Sequence, residues 1–296
     1  MSIIKHHREI FLASAFALVL TGTASAADLA VKAPAVPPVP VFSWSGIYIG
    51  ISGGTGWGNK EYTWDQDATA AAIAAQQQNN NNTLPRLGGT QGSHPISGGF
   101  FGGQLGANWQ AGWVVLGIQA DAYWADIEGH GSCFDSGAFQ TVGLSFACND
   151  KVNAFGTVTG RVGAVVDRAL IYAKGGWAWE SGQHTFNATF PASVNDGDNF
   201  RPPVGFSGGG TVNQSRGGWT FGAGVEYAVT QNWSAFVEYD YFDFGTKGVN
   251  SAYVVTTDEP RTFTVPFPAN MTEKFNVVKV GLNYKLNWWA APIVGY

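Results

Sequence analysis

The chain has 296 residues, of which only 12% are charged, 14% are aromatic and 40 are glycine, and its formal net charge is -5. Typical soluble domains carry roughly 25% charged residues, so this composition argues against an ordinary cytosolic enzyme. The acidic balance gives no support to nucleic-acid binding, and no run approaches the roughly 20 apolar residues of a transmembrane helix.

The first 26 residues have the three parts of a secretory signal peptide. Lys5 and Arg8 supply the positive start, residues 10–20 form a short apolar core, and small residues follow it. This pattern predicts cleavage between Ala26 and Ala27 and export from the cytoplasm. A retained membrane anchor is the alternative, but the apolar core is too short to span a bilayer.

A proline-rich segment follows at 27–43. Proline cannot donate to a sheet ladder, so we predict an extended periplasmic linker here. The period-two pattern described next covers 44–286, and we predict a short tail at 287–296.

Eight segments of this region alternate apolar and polar residues, which indicates strands with one face in an apolar medium. They are 46–58, 97–109, 113–127, 151–166, 170–181, 217–229, 233–244 and 274–286. Short turns alternate with long polar stretches at 59–96, 128–150, 182–216 and 245–273. We therefore predict an all-β fold: an eight-stranded antiparallel transmembrane β-barrel with short periplasmic turns and four long extracellular loops.

Outward-facing aromatic residues collect at both ends of these strands, as in the interfacial girdles of membrane barrels. Near the long loops they are Trp57, Trp124, Trp177, Trp179, Trp219, Tyr239 and Tyr241, and near the turns Trp109, Tyr227, Trp233 and Tyr284. A soluble β-sandwich, the alternative fold, has no reason to sort its aromatic residues in this way.

The opposite face is predicted to line the barrel interior, and its charged residues balance at four acids and four bases. They are Asp121, Glu226, Glu238 and Asp240 with Arg161, Lys174, Lys279 and Lys285. An eight-stranded barrel is only wide enough for its own side chains, and unpaired buried charges are costly. We predict ion pairs among Asp121, Arg161, Lys174, Glu226, Glu238 and Lys279 that close the lumen.

Cys133 and Cys148 lie between two predicted strands. Export permits a disulfide, which we predict within one extracellular loop; two free thiols are the alternative. The sequence also contains two G-x-S-x-G matches, at 50–54 and 205–209. The nucleophile pattern needs a strand-to-helix elbow, so we interpret both as chance matches in a glycine-rich chain and predict no catalytic residues and no enzyme activity.

Several segments resemble the alphaproteobacterial outer-membrane immunogenic protein family. They are Phe42–Gly50, Val115–Asp121, Gly156–Gly163, Gly218–Tyr227 and Val280–Tyr284. The resemblance implies a porin-like eight-stranded barrel in the outer membrane of a Gram-negative cell, and the family includes hemin-binding members. Related barrels end at an aromatic residue that the assembly machinery recognises, whereas here Leu286 is followed by ten further residues.

The mature chain has three histidines, His94, His130 and His184, all predicted at the extracellular rim. Imidazole binds heme iron or zinc, so these residues are candidate ligands for hemin or a metal. Their spacing fits no metal pattern, and the alternative is that they are ordinary polar loop residues. We predict no resident cofactor and no metal.

The expected function is a structural, surface-exposed role in envelope integrity and as a surface antigen. The alternatives are a porin-like small-solute channel, or a surface receptor that binds hemin or a host ligand through its loops. The expected partners are outer-membrane lipid and lipopolysaccharide and the barrel assembly machinery, with no nucleic acid.

Overall fold

The computed structural model describes residues 42–65, 91–133, 145–190, 206–256 and 262–286. The predicted signal peptide with its cleavage site, nearly all of the predicted linker, and the predicted tail lie outside these residues.

Eight strands, each paired antiparallel with its neighbours in the chain, form one sheet that closes between β1 and β8. They are β1 Gly46–Trp64, β2 Gln91–Ala111, β3 Val114–Ser132, β4 Ser145–Val166, β5 Ala169–Phe190, β6 Phe206–Ala228, β7 Trp233–Thr256 and β8 Thr262–Leu286. The predicted eight-stranded barrel is confirmed. No helix in the described ranges has the length and apolar character needed to cross a membrane.

The lipid-facing band and its aromatic girdles are where the sequence pattern placed them. Ile51, Leu105 and Val225 are among the exposed apolar residues of the band. The outer girdle includes Trp57, Trp124, Trp177 and Trp219, and the inner one includes Trp109, Tyr227, Trp233 and Tyr284, all of them exposed. About ten residues of strand separate the girdles, which is the length that a tilted membrane-spanning strand requires.

The strands are much longer than predicted, because they continue past the outer girdle on the extracellular side. β1 has 19 residues and β8 has 25. The prediction of four long loops was therefore wrong in extent: residues 59–64, 91–96, 128–132, 145–150, 182–190, 206–216, 245–256 and 262–273 are strand. Beyond the membrane the outward face contacts water instead of lipid, so these segments lose the apolar face that marks a strand in the sequence.

Above the outer girdle the barrel divides into two four-stranded sheets. The β2–β3 ladder ends at Ser97 and Glu128, and the β6–β7 ladder ends at Trp219 and Asp243, while the other ladders continue upward. One sheet is therefore β7-β8-β1-β2 and the other is β3-β4-β5-β6. We call these paired sheets the extracellular extension, and the two lines where the ladders stop its seams.

Local backbone chemistry accounts for both seams. Pro95 lies in β2 just beyond the last β2–β3 pair, and proline has no N–H to donate to a neighbouring strand. On β7 a bulge lies between Asp243 and Thr246, and Gly245 has φ +63°. A bulge bends its strand and ends the local ladder, so β7 leaves β6 at this point.

Candidate functional site: a filled lumen and a stapled extracellular extension

The inward residues of β8 pass through every layer of the interior and give the order of the layers. From the periplasmic end they are Asn283, Lys279, Val277, Phe275, Glu273, Met271 and Ala269, all of them buried. Val277 and Phe275 belong to one apolar cluster and Met271 and Ala269 to another, while Asn283, Lys279 and Glu273 each take part in a different polar layer. The interior is therefore built as a series of layers stacked along the barrel axis.

The periplasmic mouth is filled by the segment that precedes β1. Phe42 and Trp44 are buried and pack edge to face, in one cluster with Val115 and Leu170. The backbone N–H of Trp44 donates to Gln110 Oε1 at 2.7 Å. Phe42 belongs to the segment predicted as linker, but its ring lies inside the barrel mouth.

Next comes a layer centred on Arg161. Its Nη2 lies 3.1 Å from Glu226 Oε2, and its guanidinium stacks against the rings of Tyr48 and Tyr172 at 5.0 and 4.8 Å. The side-chain amide of Asn283 donates to Glu226 Oε1 at 2.8 Å. The Arg161–Glu226 ion pair is thus enclosed by aromatic rings, and both carboxylate oxygens of Glu226 accept a hydrogen bond.

The middle of the membrane contains the densest ionic layer. Lys279 Nζ lies 2.7 Å from Glu238 and 3.1 Å from Asp240. Lys174 Nζ lies 2.6 Å from Glu238 and 3.6 Å from Asp121. All five side chains are at most 1% exposed. Every interior charge for which the sequence predicted an ion pair is therefore paired, either in this layer or in the Arg161 layer.

The charges of this middle layer do not balance, because Lys174 and Lys279 face three carboxylates. The neutral donors around Asp121 offset the excess: Thr157 donates at 2.6 Å, Gln119 at 2.8 Å and Tyr123 at 3.0 Å. The fourth base counted in the sequence, Lys285, lies instead at the periplasmic mouth, where its Nζ donates to the Ser43 carbonyl at 2.6 Å.

An aromatic layer that the sequence interpretation missed lies above the middle ionic layer. Phe155 packs against Phe100, Phe242 and Phe275 with ring centroids 5.1, 5.6 and 5.7 Å away, and Ile127 belongs to the same buried cluster. The only signal in the sequence was phenylalanine at inward positions of separate strands. This buried, largely apolar layer separates the ionic groups of the membrane from those of the extracellular extension.

A second ionic layer lies between the two sheets of the extension. Lys60 Nζ is 3.0 Å from Glu273 within one sheet. From the other sheet, Arg216 donates to the Met271 carbonyl at 3.2 Å and lies 3.9 Å from Glu273. Arg216 also lies 3.7 Å from Glu180. Arg216 therefore connects the two sheets across the interior.

Above it, Asp150 connects the sheets a second time. Its Oδ2 accepts from the Tyr62 hydroxyl at 2.5 Å and lies 2.6 Å from His94 Nε2, both on the opposite sheet. Its Oδ1 lies 2.6 Å from His184 Nδ1 on its own sheet. We call Asp150, His94, His184 and Tyr62 the Asp150 staple.

The staple is deeply buried, and this sets its protonation. Burial opposes the charge on Asp150, but hydrogen bonds from His184 and His94 outweigh it and hold the pKa of the carboxyl well below its usual value. Burial lowers the pKa of His184, and its hydrogen bond to Asp150 only partly restores it. At neutral pH the staple thus holds an anionic Asp150 carboxylate beside the neutral imidazole of His184.

The three histidines proposed as hemin or metal ligands do not converge. His94 and His184 are each only 2% exposed and face inward, whereas His130 is on the exposed outer face of β3. Within the described residues, no group of three or more His, Cys, Asp and Glu side chains has the arrangement to hold a metal ion.

An apolar cap covers the staple, and a disulfide lies within it. Cys133 and Cys148 are bonded to each other and buried with Phe146, Phe186 and Met271. The bond joins the end of β3 to β4 inside one sheet. Ser52, from the first G-x-S-x-G match, lies in the lumen and donates to Gln104 at 2.8 Å.

Reducing this disulfide should weaken the extracellular extension and leave the membrane-embedded barrel folded. The bond closes a loop with a sequence separation of 15. Closing a loop of this length restricts the unfolded chain and so stabilises the folded state by about 3 kcal/mol relative to the reduced protein. A Cys133→Ser/Cys148→Ser variant should be cleaved by protease in the extension at lower urea concentrations than the parent. The heat-modifiable migration of the barrel core should be unchanged, and a loss of that migration would contradict the prediction.

The sequence matches the family model of the outer membrane protein beta-barrel domain over residues 14–286. The chain belongs to this family. This outer-membrane β-barrel protein is 32% identical to the 31 kDa outer-membrane immunogenic protein of Brucella melitensis biotype 1, over 94% of this chain and 99% of that protein. It is 27% identical to the 25 kDa outer-membrane immunogenic protein of the same organism, over 90% and 98% of the two chains.

The comparison with solved structures includes outer membrane protein OprG from Pseudomonas aeruginosa. That match has a TM-score of 0.37 at 11% identity and covers 82% of this chain and 96% of the other. The family expected from the sequence motifs is confirmed by the family model and by the Brucella proteins, and the protein is placed in the outer membrane.

Proposed function

We propose that this outer-membrane barrel is a closed, non-conducting and non-enzymatic structural protein that displays its extracellular extension at the cell surface. The observation that carries the proposal is the unbroken series of filled layers from Phe42 at the mouth to the disulfide at the top. Charged layers alternate with aromatic and apolar ones, and the charges in each layer are partnered within the barrel.

The main alternative, a small-solute channel, has less support. A water-filled pore needs polar groups that face open space, whereas Lys174, Lys279 and their carboxylates are almost fully buried among themselves. Hydrated ions would also have to cross the Phe155 layer, where an ion loses its hydration without gaining a partner.

A hemin receptor based on the three histidines is also less well supported. His94 and His184 are occupied by Asp150, and hemin could reach them only by separating the two sheets.

We also propose that the barrel assembly machinery inserts the chain, since β1 must meet β8 to leave no unpaired edge within the lipid.

Conductance separates the closed barrel from the channel. The refolded protein in planar bilayers should give no steady current at neutral pH, or only rare small openings, while a general porin measured in the same bilayers gives stable steps. Incorporation is checked by protease digestion of the extension in vesicles. Steady steps of general-porin size from the unmodified protein would refute the closed lumen.

A further inference from the structure

At the seam between β6 and β7, a long edge of β6 has no paired strand among the residues that the structure describes. β6 pairs with β5 up to Phe206, but its pairing with β7 stops at Trp219. In the described residues, the β6 segment from 209 to 217 is thus hydrogen-bonded on one side only. The facing β7 segment pairs only with β8 from Thr246 onward.

The hydrogen bonds at the base of β6 show which of its amides face the seam. The N–H of Ala228 donates to Arg168 next to β5, and the N–H of Val229 donates to Trp233 of β7. Because successive residues of a strand direct their N–H groups to opposite sides and the β5–β6 register is continuous, odd-numbered residues face the seam. The free donors are therefore on Thr211, Asn213, Ser215 and Gly217.

Apart from the inward Arg216, whose charge lies beside Glu180 and Glu273 in the interior, this edge lacks the devices that usually protect an exposed strand. Natural edges carry lysine, proline, bulges or inward charges, and β7 has both a bulge and the exposed Lys247 beside the seam. On β6 the seam-facing residues are small, uncharged and exposed, and their register with β5 has no bulge. Only an extended peptide backbone supplies acceptors and donors at the repeat of such an edge.

A second copy in the same membrane does not fit this edge. Antiparallel pairing of two identical edges needs a twofold axis perpendicular to the strands. That axis would place the two barrels in opposed membranes, whereas neighbours in one outer membrane share the same orientation. The edge therefore suits a segment of a different protein.

We propose that the β6 edge of the extracellular extension, from Thr211 to Gly217, binds an extended peptide segment of a partner protein by strand addition. Specificity comes from the outward side chains of Thr211, Asn213 and Ser215, which lie beside the added strand. The proposal does not depend on whether the lumen conducts ions.

Amide hydrogen exchange in the free protein is the first test. In nanodiscs, the amides of Thr211, Asn213 and Ser215 should exchange at least about tenfold faster than those of Val212 and Gln214, which bond to β5. Equal protection of the two sets would mean that another part of the chain already covers the edge, and would overturn the proposal.

Peptide binding is the second test, and the probe is a phage-displayed library of random twelve-residue peptides. Peptides selected on the nanodisc-held protein should protect the odd-numbered β6 amides when they bind. An Asn213→Pro/Ser215→Pro variant, which removes two edge donors and keeps the β5 ladder, should bind these peptides at least tenfold more weakly. The matched Asn213→Ala/Ser215→Ala variant, which retains both donors, should bind within about threefold of the parent.

Two outcomes would overturn the proposal. One is a selection that yields no peptide above background, and the other is peptides that bind the proline variant as tightly as the alanine variant. The fold of the proline variant is checked by heat-modifiable migration and by the exchange of the Val212 and Gln214 amides. If proline disrupts the β5 ladder, Asn213→Pro alone against Asn213→Ala gives the same comparison with one donor removed.

Discussion

Replacing Lys279 with methionine will lower the free energy of unfolding by about 3–5 kcal/mol, because it leaves buried carboxylates without their cation. Lys279 contacts Glu238, Asp240 and the Tyr123 hydroxyl within 3.1 Å. After its removal, Lys174 alone faces three carboxylates. Urea unfolding in lipid vesicles, followed by tryptophan fluorescence and by gel migration, gives the measurement.

Lys274→Met is the matched control, since it changes the same residue type on the same strand. Lys274 faces outward, is 53% exposed and lies 3.8 Å from Asp243. Exposed pairs of this kind contribute at most about 1 kcal/mol. Equal destabilisation by the two substitutions would show that water reaches the middle layer and would contradict the closed lumen.

The sequence predicted the membrane-embedded part of the barrel well because two constraints act together there. Lipid outside and a narrow lumen inside force apolar and polar residues to alternate strictly. The outward position of Ile51 and the inward position of Lys279 therefore follow from this alternation alone. Above the outer girdle only the inner face is constrained. Segments such as 59–64 and 182–190 were therefore interpreted as loop, although both are strand.

The alternation shows which residues point inward, but it could not predict which of them meet across the lumen. Contacts between separate strands depend on the shear of the barrel, that is, on how far each strand is shifted along its neighbour. Asp150 on β4 meets His94 on β2 and Tyr62 on β1 because of this stagger. Likewise, phenylalanines on four strands form one layer only in the folded register.

We expect the extracellular extension to lose stability and to open more often as the pH falls below about 6.5, while the membrane-embedded barrel stays folded. The pKa of His184 is lower in the folded extension than its ordinary value of about 6.5. The opened state therefore binds a proton that the folded state excludes, and stability is lost as pH falls through that range. Asp150, whose folded pKa is also depressed, adds a further loss below about pH 4.

The groups facing the staple strengthen the effect. Lys60 and Arg216 lie in the ionic layer beneath it, so a proton gained by the histidine adds positive charge next to two existing cations. Glu273 is held by Lys60 at 3.0 Å, which leaves it little capacity to compensate. The Asp150 carboxylate remains the main counter-charge until it is itself protonated.

Hydrogen exchange of the segments 145–152 and 180–187, corrected for the intrinsic pH dependence of exchange, measures this opening. Exchange in both should rise between pH 7 and 5, while 157–163 in the membrane should not change. In His184→Gln the side-chain amide can still donate to Asp150 but does not titrate, so the rise should move toward the range where Asp150 is protonated. An unchanged pH profile in that variant, or equal exchange at pH 7 and pH 5 in the parent, would show that the two sheets are held together by the apolar cap and the disulfide, and that the staple does not control their separation.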